Sequence, residues 1–293
     1  MASLDSISSP GAASGASARP GVLSRLIRNK SALIGGSIVL VFLLMALLAP
    51  VLPLADPFKS NFLAIRKPPS ELYWFGTDEL GRDQVARLFF GAQASLLAGI
   101  VSVLIAVAIG LPFGVLAGWY GGWIDIVISR VTEALLACPF LILAIAFAAV
   151  LGPSLTNAMI AIGLSAVPIF IRLIRGQVMS VKAEDFVEGA RAVGARDLRL
   201  MFRHVLPNTL SPIVVQSTLF MAQAIILEAA LSFLGLGQQP PAPSWGQMLN
   251  VAKNFMEQAP WMSVAPGICI FLAVLGFNLL GDGLRDALDP KEN

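Results

Sequence analysis

The sequence contains few of the residues that hold metals or form disulfide bonds. Among its 293 residues are one histidine, His204, and two cysteines, Cys138 and Cys269. One histidine cannot supply the paired imidazoles of a His-x-x-x-His zinc site. The two cysteines lie far apart in apolar stretches, so their spacing indicates no disulfide framework.

Charged residues are also scarce. The 20 Lys and Arg and the 18 Asp and Glu together make up 13% of the chain, whereas soluble proteins average about 25%. Hydrophobic residues make up 56%, and the mean hydropathy is +0.78. So few charges could not cover the surface of a soluble domain, and a net charge of +2 offers no footprint for nucleic-acid phosphates. The composition excludes an ordinary cytosolic enzyme, a disordered chain and a nucleic-acid binder, and it predicts a membrane protein.

Several catalytic motifs are missing. The dipeptide Gly-Lys never occurs, so the chain has no P-loop to hold ATP phosphates, and no G-x-S-x-G nucleophile elbow is present. The apolar stretches lack stacked carboxylates for a proton relay, and we find neither inverted repeats nor mid-membrane ion-coupling acids. These absences argue against a self-powered pump and a membrane-embedded enzyme. A secondary transporter or channel remains as the alternative from a different class.

Five long stretches without any charged residue predict where the chain crosses a membrane. A spanning helix needs roughly 20 mainly apolar residues. The stretch at 134–171 is too long for one span and is interrupted by a turn-forming sequence at 152–157, so we divide it between two helices. The six predicted spans cover residues 31–53, 95–118, 125–150, 157–178, 209–231 and 263–283.

The distribution of basic residues predicts the orientation. With the six spans in place, 14 of the 20 Lys and Arg residues fall on the side that holds both chain ends. Because basic residues are in excess on the cytoplasmic side, we expect both termini there. The first apolar stretch is longer than the core of a cleaved signal peptide, so we interpret it as a retained anchor. The remaining predicted segments are a partly disordered cytoplasmic tail at 1–30, extracytoplasmic loops at 54–92 and 233–262, a five-helix membrane domain at 93–283 and a cytoplasmic tail at 284–293.

The segment 181–208 joins the fourth and fifth predicted spans and carries much of the cytoplasmic charge. Its apolar residues recur at helical spacing in two groups, which predicts two short amphipathic helices. Gly194 lies between the groups, where a helix end or a sharp turn favours glycine. We expect Asp197 to cap the second helix and Pro207 to end it. The two groups are Phe186, Ala190 and Val193, followed by Leu198, Met201, Phe202 and Val205.

Physical reasoning alone leaves two interpretations of this segment open. The helices could lie on lipid with their arginines at the headgroups, or they could dock a cytoplasmic partner. The residues Glu188-Gly189-Ala190, Gly194 and Leu206-Pro207 resemble the EAA loop of bacterial ABC importer permeases. This resemblance implies that the first helix is a coupling helix, which sits in a groove on the ATPase subunit. Gly189 departs from the usual alanine, and glycine costs about 1 kcal/mol within a helix.

A second motif lies in the predicted loop 54–92. It resembles the G-T-D-x-x-G-R-D signature of the dipeptide, oligopeptide and nickel permeases, in the second, or C-type, of their two permease subunits. The stretches at 228–237, 243–246 and 278–286 fit the same group. The signature residues are Gly76, Thr77, Asp78, Gly81, Arg82 and Asp83.

These resemblances imply an all-α integral membrane fold: the six-helix transmembrane domain of a type I ABC importer in the bacterial cytoplasmic membrane. The implied role is half of a translocation pathway, without catalysis and without a cofactor. The implied partners are a paralogous permease subunit, two ATPase subunits that bind ATP and Mg²⁺, an extracytoplasmic substrate-binding protein and the lipid bilayer. Members of this group handle dipeptides, oligopeptides, glutathione or nickel chelates. We expect peptides, with glutathione, nickel chelates or another small solute as alternatives.

Three charged residues are candidates for the pathway or its gate. Arg130 and Glu133 are spaced i, i+3 and can pair, either as a structural contact or as part of a gate. Glu228 lies near the outer end of the fifth predicted span. An acidic residue within the membrane is a functional candidate by default. At this depth, the alternative is that its carboxylate contacts only interfacial water or a loop amide.

Four glycines recur at every fourth residue of the second predicted span and its end: Gly110, Gly114, Gly118 and Gly122. Glycines at this spacing let another helix approach closely, which predicts helix packing. The functional alternative is a helix that lines a subunit interface and shifts during transport.

Overall fold

The computed structural model describes residues 22–288, and within this range the regular structure is helical apart from one isolated bridge between Thr77 and Asp83. The expected disorder before residue 22 and the end of the predicted C-terminal tail lie outside the described residues. Short 3₁₀ turns occur at Phe62–Ala64 and Lys253–Phe255, and a π turn at Met201–Val205. The helices are α1 (Val22–Arg28), α2 (Lys30–Leu48), α3 (Gln84–Tyr120), α4 (Gly122–Leu136), α5 (Phe140–Leu151), α6 (Leu155–Lys182), α7 (Asp185–Ala192), α8 (Asp197–Leu200), α9 (Leu206–Phe233), α10 (Trp245–Ala252) and α11 (Trp261–Leu288).

Five helices in the described range are long and apolar enough to cross a membrane: α2, α3, α6, the continuous helix from Asp197 to Phe233, and α11. The third predicted span, 125–150, is instead divided into α4 and α5, which meet at an angle of 92°. The break falls at Pro139, which precedes α5. Proline disfavours helical geometry at the residue before it, so α4 cannot continue. If the bent pair counts as one span, the total is six.

The long helices run from one end of the bundle to the other, and the two ends are named here by the segments that they carry. The end that carries residues 181–208 is called the loop end below, and the end that carries residues 76–83 is called the signature end. At the loop end, Asn29 donates a hydrogen bond of 2.9 Å to Asp286, which ties α2 to α11. At the signature end, the Trp261 indole donates to the Thr77 carbonyl at 3.2 Å. Both contacts join parts of the chain that are distant in sequence.

Glycine contacts hold α3 against α6. A methyl group added at Gly110 would lie 2.7 Å from Cβ of Phe170, and one at Gly114 would lie 2.7 Å from Cβ of Ile174. The glycine spacing therefore packs helices within this chain, and α6 occupies that face of α3. Gly122 does not belong to the same face, because it begins α4 at a φ of +55° and a methyl group added there would have no neighbour within 4 Å.

The helix after Gly194 differs from the prediction. Pro207 does not end it, because the helix runs without interruption from Asp197 to Phe233. Within a regular helix the proline ring would collide with the carbonyl four residues earlier. The π turn lies directly before it: the Leu206 N–H bonds to the Met201 carbonyl, five residues back, so the register shifts and Pro207 fits. Asp197 is the first helical residue rather than the cap, which is Arg196.

Candidate functional site

A glycine turn shapes the loop end. Gly194 has a φ of +86°, which an L side chain adopts only with strain. Its N–H bonds to the Arg191 carbonyl at 3.0 Å, and the Ala195 N–H bonds to the Ala190 carbonyl at 3.1 Å. This pair of bonds is a Schellman motif, which closes α7 and reverses the chain. The sequence prediction of a turn at Gly194 is confirmed.

The apolar residues of this segment divide between two environments. Val187, Leu200, Met201 and Val205 are buried against the bundle. A second group, called the exposed loop set below, remains uncovered although its members are large and apolar. The sequence prediction of one apolar face per helix is therefore only partly right, because helical spacing alone does not say which residues the bundle covers. The exposed loop set consists of Phe186, Val193, Leu198 and Phe202.

The residues of the predicted coupling motif lie on both sides of this segment. Glu188 and Gly189 are exposed on α7, and Gly189 has no neighbour within 4 Å of the position that a Cβ would take. Ala190 and Leu206 are half-buried and pack against the core. The motif thus combines residues that face away from the bundle with residues that anchor the segment to it.

Polar contacts tie the end of α3 to the segment 181–208. The Lys182 ammonium, on the last residue of α6, donates to the Trp119 carbonyl at 2.6 Å. The Arg191 guanidinium lies 5.7 Å from the centre of the Trp119 ring, within the range of a cation–π contact. Nearby, the guanidinium of Arg175 binds both carboxylate oxygens of Asp125, one of them at 2.7 Å, and joins α6 to α4. These three contacts did not emerge from the sequence, because nothing local links residues so far apart in the chain.

A cleft of about 630 Å³ opens near the loop end between α6, α9 and α11. Unusually for membrane-spanning helices, several of its lining side chains are polar and uncharged. Beside the cleft α9 and α11 meet closely, since a methyl group at Gly281 would lie 2.6 Å from the lining residue Leu219. Polar residues within spans are expected to face water-filled space or other protein groups. The lining residues include Gln177, Pro207, Asn208, Ser211, Gln216 and Arg285.

The signature residues form a buried ionic cluster rather than an open site. The Asp78 carboxylate accepts a bond of 2.6 Å from Nε of Arg82 and lies 3.2 Å from Nε of Arg87. It also accepts the backbone N–H groups of Leu80 and Arg82 at 2.9 Å. Asp78 is 2% exposed and Arg82 is 3% exposed. Arg87 lies outside the signature, and only the structure identifies it as a member of the cluster.

Thr77 and Gly76 join this cluster to other parts of the chain. The Thr77 hydroxyl donates to the Ala64 carbonyl and accepts from the Lys67 N–H at 2.8 Å. Gly76 has a φ of +73°, and a side chain there would collide with the Trp261 indole 2.6 Å away. The signature is thus a folded turn on which the first residue of α11 rests.

Gly81 and Asp83 set the start of α3. A methyl group at Gly81 would lie 1.9 Å from the Asn61 carbonyl oxygen, so only glycine fits. The Asp83 carboxylate caps α3 by accepting the N–H groups of Val85 and Ala86, each at 3.3 Å. Burial raises the pKa of the Asp83 carboxyl, because desolvation outweighs the effect of these two hydrogen bonds.

The three charged residues that are candidates for the pathway lie in different environments. Arg130 and Glu133 form the expected pair at 3.2 Å, but with 80% and 56% of their side chains exposed. Glu228 is fully buried, and its carboxylate accepts from Ser95 at 3.0 Å and from Ser232 at 2.7 Å. In this conformation Glu228 therefore joins α3 to α9 and does not line the cleft.

Comparisons with protein families, related sequences and solved structures all find similarity to membrane transport proteins. Residues 110–293 match the family described as binding-protein-dependent transport system inner membrane component, and residues 21–69 match the N-terminal TM domain of oligopeptide transport permease C. The chain is 48% identical to the dipeptide transport system permease protein DppC of Alkalihalophilus pseudofirmus over 267 residues, which are 91% of this chain and 88% of that protein. Identity is also 48% to the glutathione transport system permease protein GsiD of Salmonella typhimurium, over 268 residues and the same shares. An inward-facing structure of the MetNI methionine ABC transporter has the same fold, with a TM-score of 0.56 and 22% identity, covering 69% of this chain and 96% of the matched chain.

Proposed function

Because the chain belongs to the family of binding-protein-dependent transport system inner membrane components, we propose that it forms half of the translocation pathway of an ABC importer for peptides. The chain is a permease subunit of an ABC importer and a multi-pass protein of the bacterial inner membrane. The relatives that are 48% identical to it are named for dipeptide and glutathione transport, which supports a peptide substrate. Glutathione, itself a peptide, is the second candidate.

The proposed orientation puts the loop end in the cytoplasm and the signature end outside. The excess of basic residues on the loop side supports it. In this orientation the segment 181–208 faces the ATPase subunits, which bind ATP and Mg²⁺. The signature end faces the substrate-binding protein.

The single observation that carries the proposed coupling role is the geometry of α7. Val187 holds the helix on the bundle, while Phe186, Glu188 and Val193 point away from it. An isolated eight-residue helix is not stable in water, and the exposed Phe186 on α7 and Val193 directly after it therefore favour cover by a partner surface. A groove on an ATPase subunit would cover these residues and bind the helix, which would then move with that subunit as a rigid body.

The cleft is the proposed inner part of the pathway. Amide and hydroxyl side chains such as Gln177, Ser211 and Gln216 can exchange hydrogen bonds with a peptide without holding it by charge. Weak, neutral contacts of this kind let a substrate pass. A paralogous permease subunit would complete the other half of the pathway, as the resemblance implies.

The test is uptake by the assembled complex. Proteoliposomes that contain both permease subunits, the ATPase subunits and the binding protein should accumulate a labelled dipeptide only when ATP is supplied to the ATPase side. Proteoliposomes that contain this chain alone should not. Dipeptide uptake by this chain alone, driven by an ion gradient, would instead support a secondary transporter. Mass spectrometry of the ligand that co-purifies with the binding protein distinguishes dipeptides from glutathione and nickel chelates.

A further inference from the structure

Helix α3 connects the two ends of the protein. It is 37 residues long, begins at the signature with Asp83 as its cap, and ends at the loop end one residue after Trp119. Along the way its glycines pack tightly on α6, so the two helices are held together over much of their length. A change at either end of α3 therefore reaches the other end through one continuous element.

Trp119 is the point where α3 meets the segment 181–208. It is 3% exposed, although it lies in the last turn of the helix. The Lys182 ammonium binds its carbonyl and also lies 5.4 Å from the ring centre, while Arg191 lies 5.7 Å from the ring centre. Lys182 ends α6 and Arg191 is in the last turn of α7, so two consecutive helices contact one residue.

These contacts differ in the kind of motion they allow. The bond from Lys182 to a carbonyl at the C-terminal end of α3 fixes α6 relative to α3, and a cation is favourable at that end of a helix. The Arg191 contact joins α7 to the Trp119 side chain through a cation over the ring face, and it holds while the guanidinium stays within about 6 Å of the ring centre. A displacement of α7 therefore acts on the Trp119 ring first.

We propose that Trp119 is a positioning residue that transmits displacement of α7 to α3 through Arg191. The inference rests on the proposed coupling role of α7 and adds the route by which its movement enters the bundle. Trp119 is 3% exposed and is not among the residues that line the cleft. Its function is to keep ATP hydrolysis at one end dependent on the loaded binding protein at the other end.

The test measures ATP hydrolysis by the complete complex, without and with peptide-loaded binding protein. Trp119→Leu removes the ring face, Arg191→Gln removes the cation, and Trp119→Phe keeps a smaller ring. Trp123→Leu is the matched control, because Trp123 lies four residues further along and is 74% exposed. We expect Trp119→Leu and Arg191→Gln each to lower the ratio of stimulated to basal hydrolysis by about threefold or more, as expected for the loss of a cation–π contact. Trp119→Phe should retain most of the stimulation.

Peptide uptake per ATP hydrolysed should fall together with this ratio, and the double variant should lose no more than Trp119→Leu alone, since that variant already lacks the Arg191 contact. If Trp119→Leu fails to assemble, Arg191→Gln decides, because Arg191 is exposed and its replacement leaves no cavity. The inference is overturned if Arg191→Gln keeps the stimulation of the Trp123→Leu control. A wild-type complex without ATP-dependent uptake would instead contradict the proposed function.

Discussion

Phe186 and Val187 are neighbours on α7, yet Phe186 is 47% exposed whereas Val187 is 1% exposed. The two side chains thus separate the two tasks of the helix. Val187 attaches α7 to the bundle, and Phe186 is available to a partner. Substitutions at these adjacent positions should have different consequences.

Phe186→Asp should prevent the ATPase subunits from binding while the permease still folds, because a charge is placed in the proposed docking surface. Val187→Ala should do the opposite: it removes two buried methyl groups and lowers the free energy of unfolding by about 1.5 kcal/mol. Co-purification of the ATPase subunits measures the first effect, and thermal unfolding in detergent measures the second. Retention of the ATPase subunits by Phe186→Asp would exclude the exposed loop set as the docking surface.

Gly194→Val should disrupt the turn that ends α7. The φ of +86° costs a β-branched residue about 1–2 kcal/mol or more, so the loop would shift its two helices relative to each other. Gly189→Ala is the control, because its Cβ meets no neighbour and alanine favours the helix by about 1 kcal/mol. Uptake should fall for the first variant and stay normal for the second. Equal uptake by both variants would show that the turn is not needed for coupling.

Asp78→Asn should destabilise the signature end severely. The change leaves Arg82 and Arg87 buried without their shared carboxylate, and breaking such a buried pair costs about 3–5 kcal/mol. Neutralising the more exposed Glu79, by Glu79→Gln, should cost less, because the Glu79 side chain is 20% exposed and its partner Arg82 keeps the Asp78 carboxylate. Yield and melting temperature in detergent measure both effects. A stable Asp78→Asn protein with impaired binding-protein docking would indicate a functional signature instead.

Ser211→Cys should react with a polar thiol reagent that is supplied from the loop side. Ser211 lines the cleft, whereas Ser165 on α6 is 1% exposed and provides the control variant Ser165→Cys. Both are made in a chain whose Cys138 and Cys269 are replaced by alanine. A labelling rate that is the same at both positions would mean that the cleft is not filled with water.

The sequence predicted features that depend on local chemistry. Five of the six apolar spans, the glycine turn at Gly194 and the glycine face of α3 follow from short-range patterns, and the structure has them. The partner of that glycine face did not follow from the sequence, since only the structure identifies it as α6. The prediction that Pro207 ends the helix was wrong because the π turn before it accommodates the proline ring. No clear sequence pattern indicates such a turn.

Features that join distant residues could not be predicted. The contact between Arg191 and Trp119, the binding of Asp125 by Arg175 and the place of Arg87 beside Asp78 all arise from the way the helices pack. The resemblance to a coupling motif was recognisable from the residues around Glu188. What the sequence could not say is which of its apolar neighbours the bundle would bury.

The most direct test of the account is the uptake of a labelled dipeptide by the reconstituted complex carrying Glu188→Lys, with Glu184→Lys as the matched control. Both side chains are exposed, but Glu188 lies within α7 and Glu184 only precedes it. The account predicts that Glu188→Lys abolishes ATP-driven uptake while dipeptide binding to the binding protein and the thermal stability of the permease stay unchanged, and that Glu184→Lys retains most of its uptake. Uptake by Glu188→Lys at the wild-type rate would contradict the assignment of α7 as the coupling element.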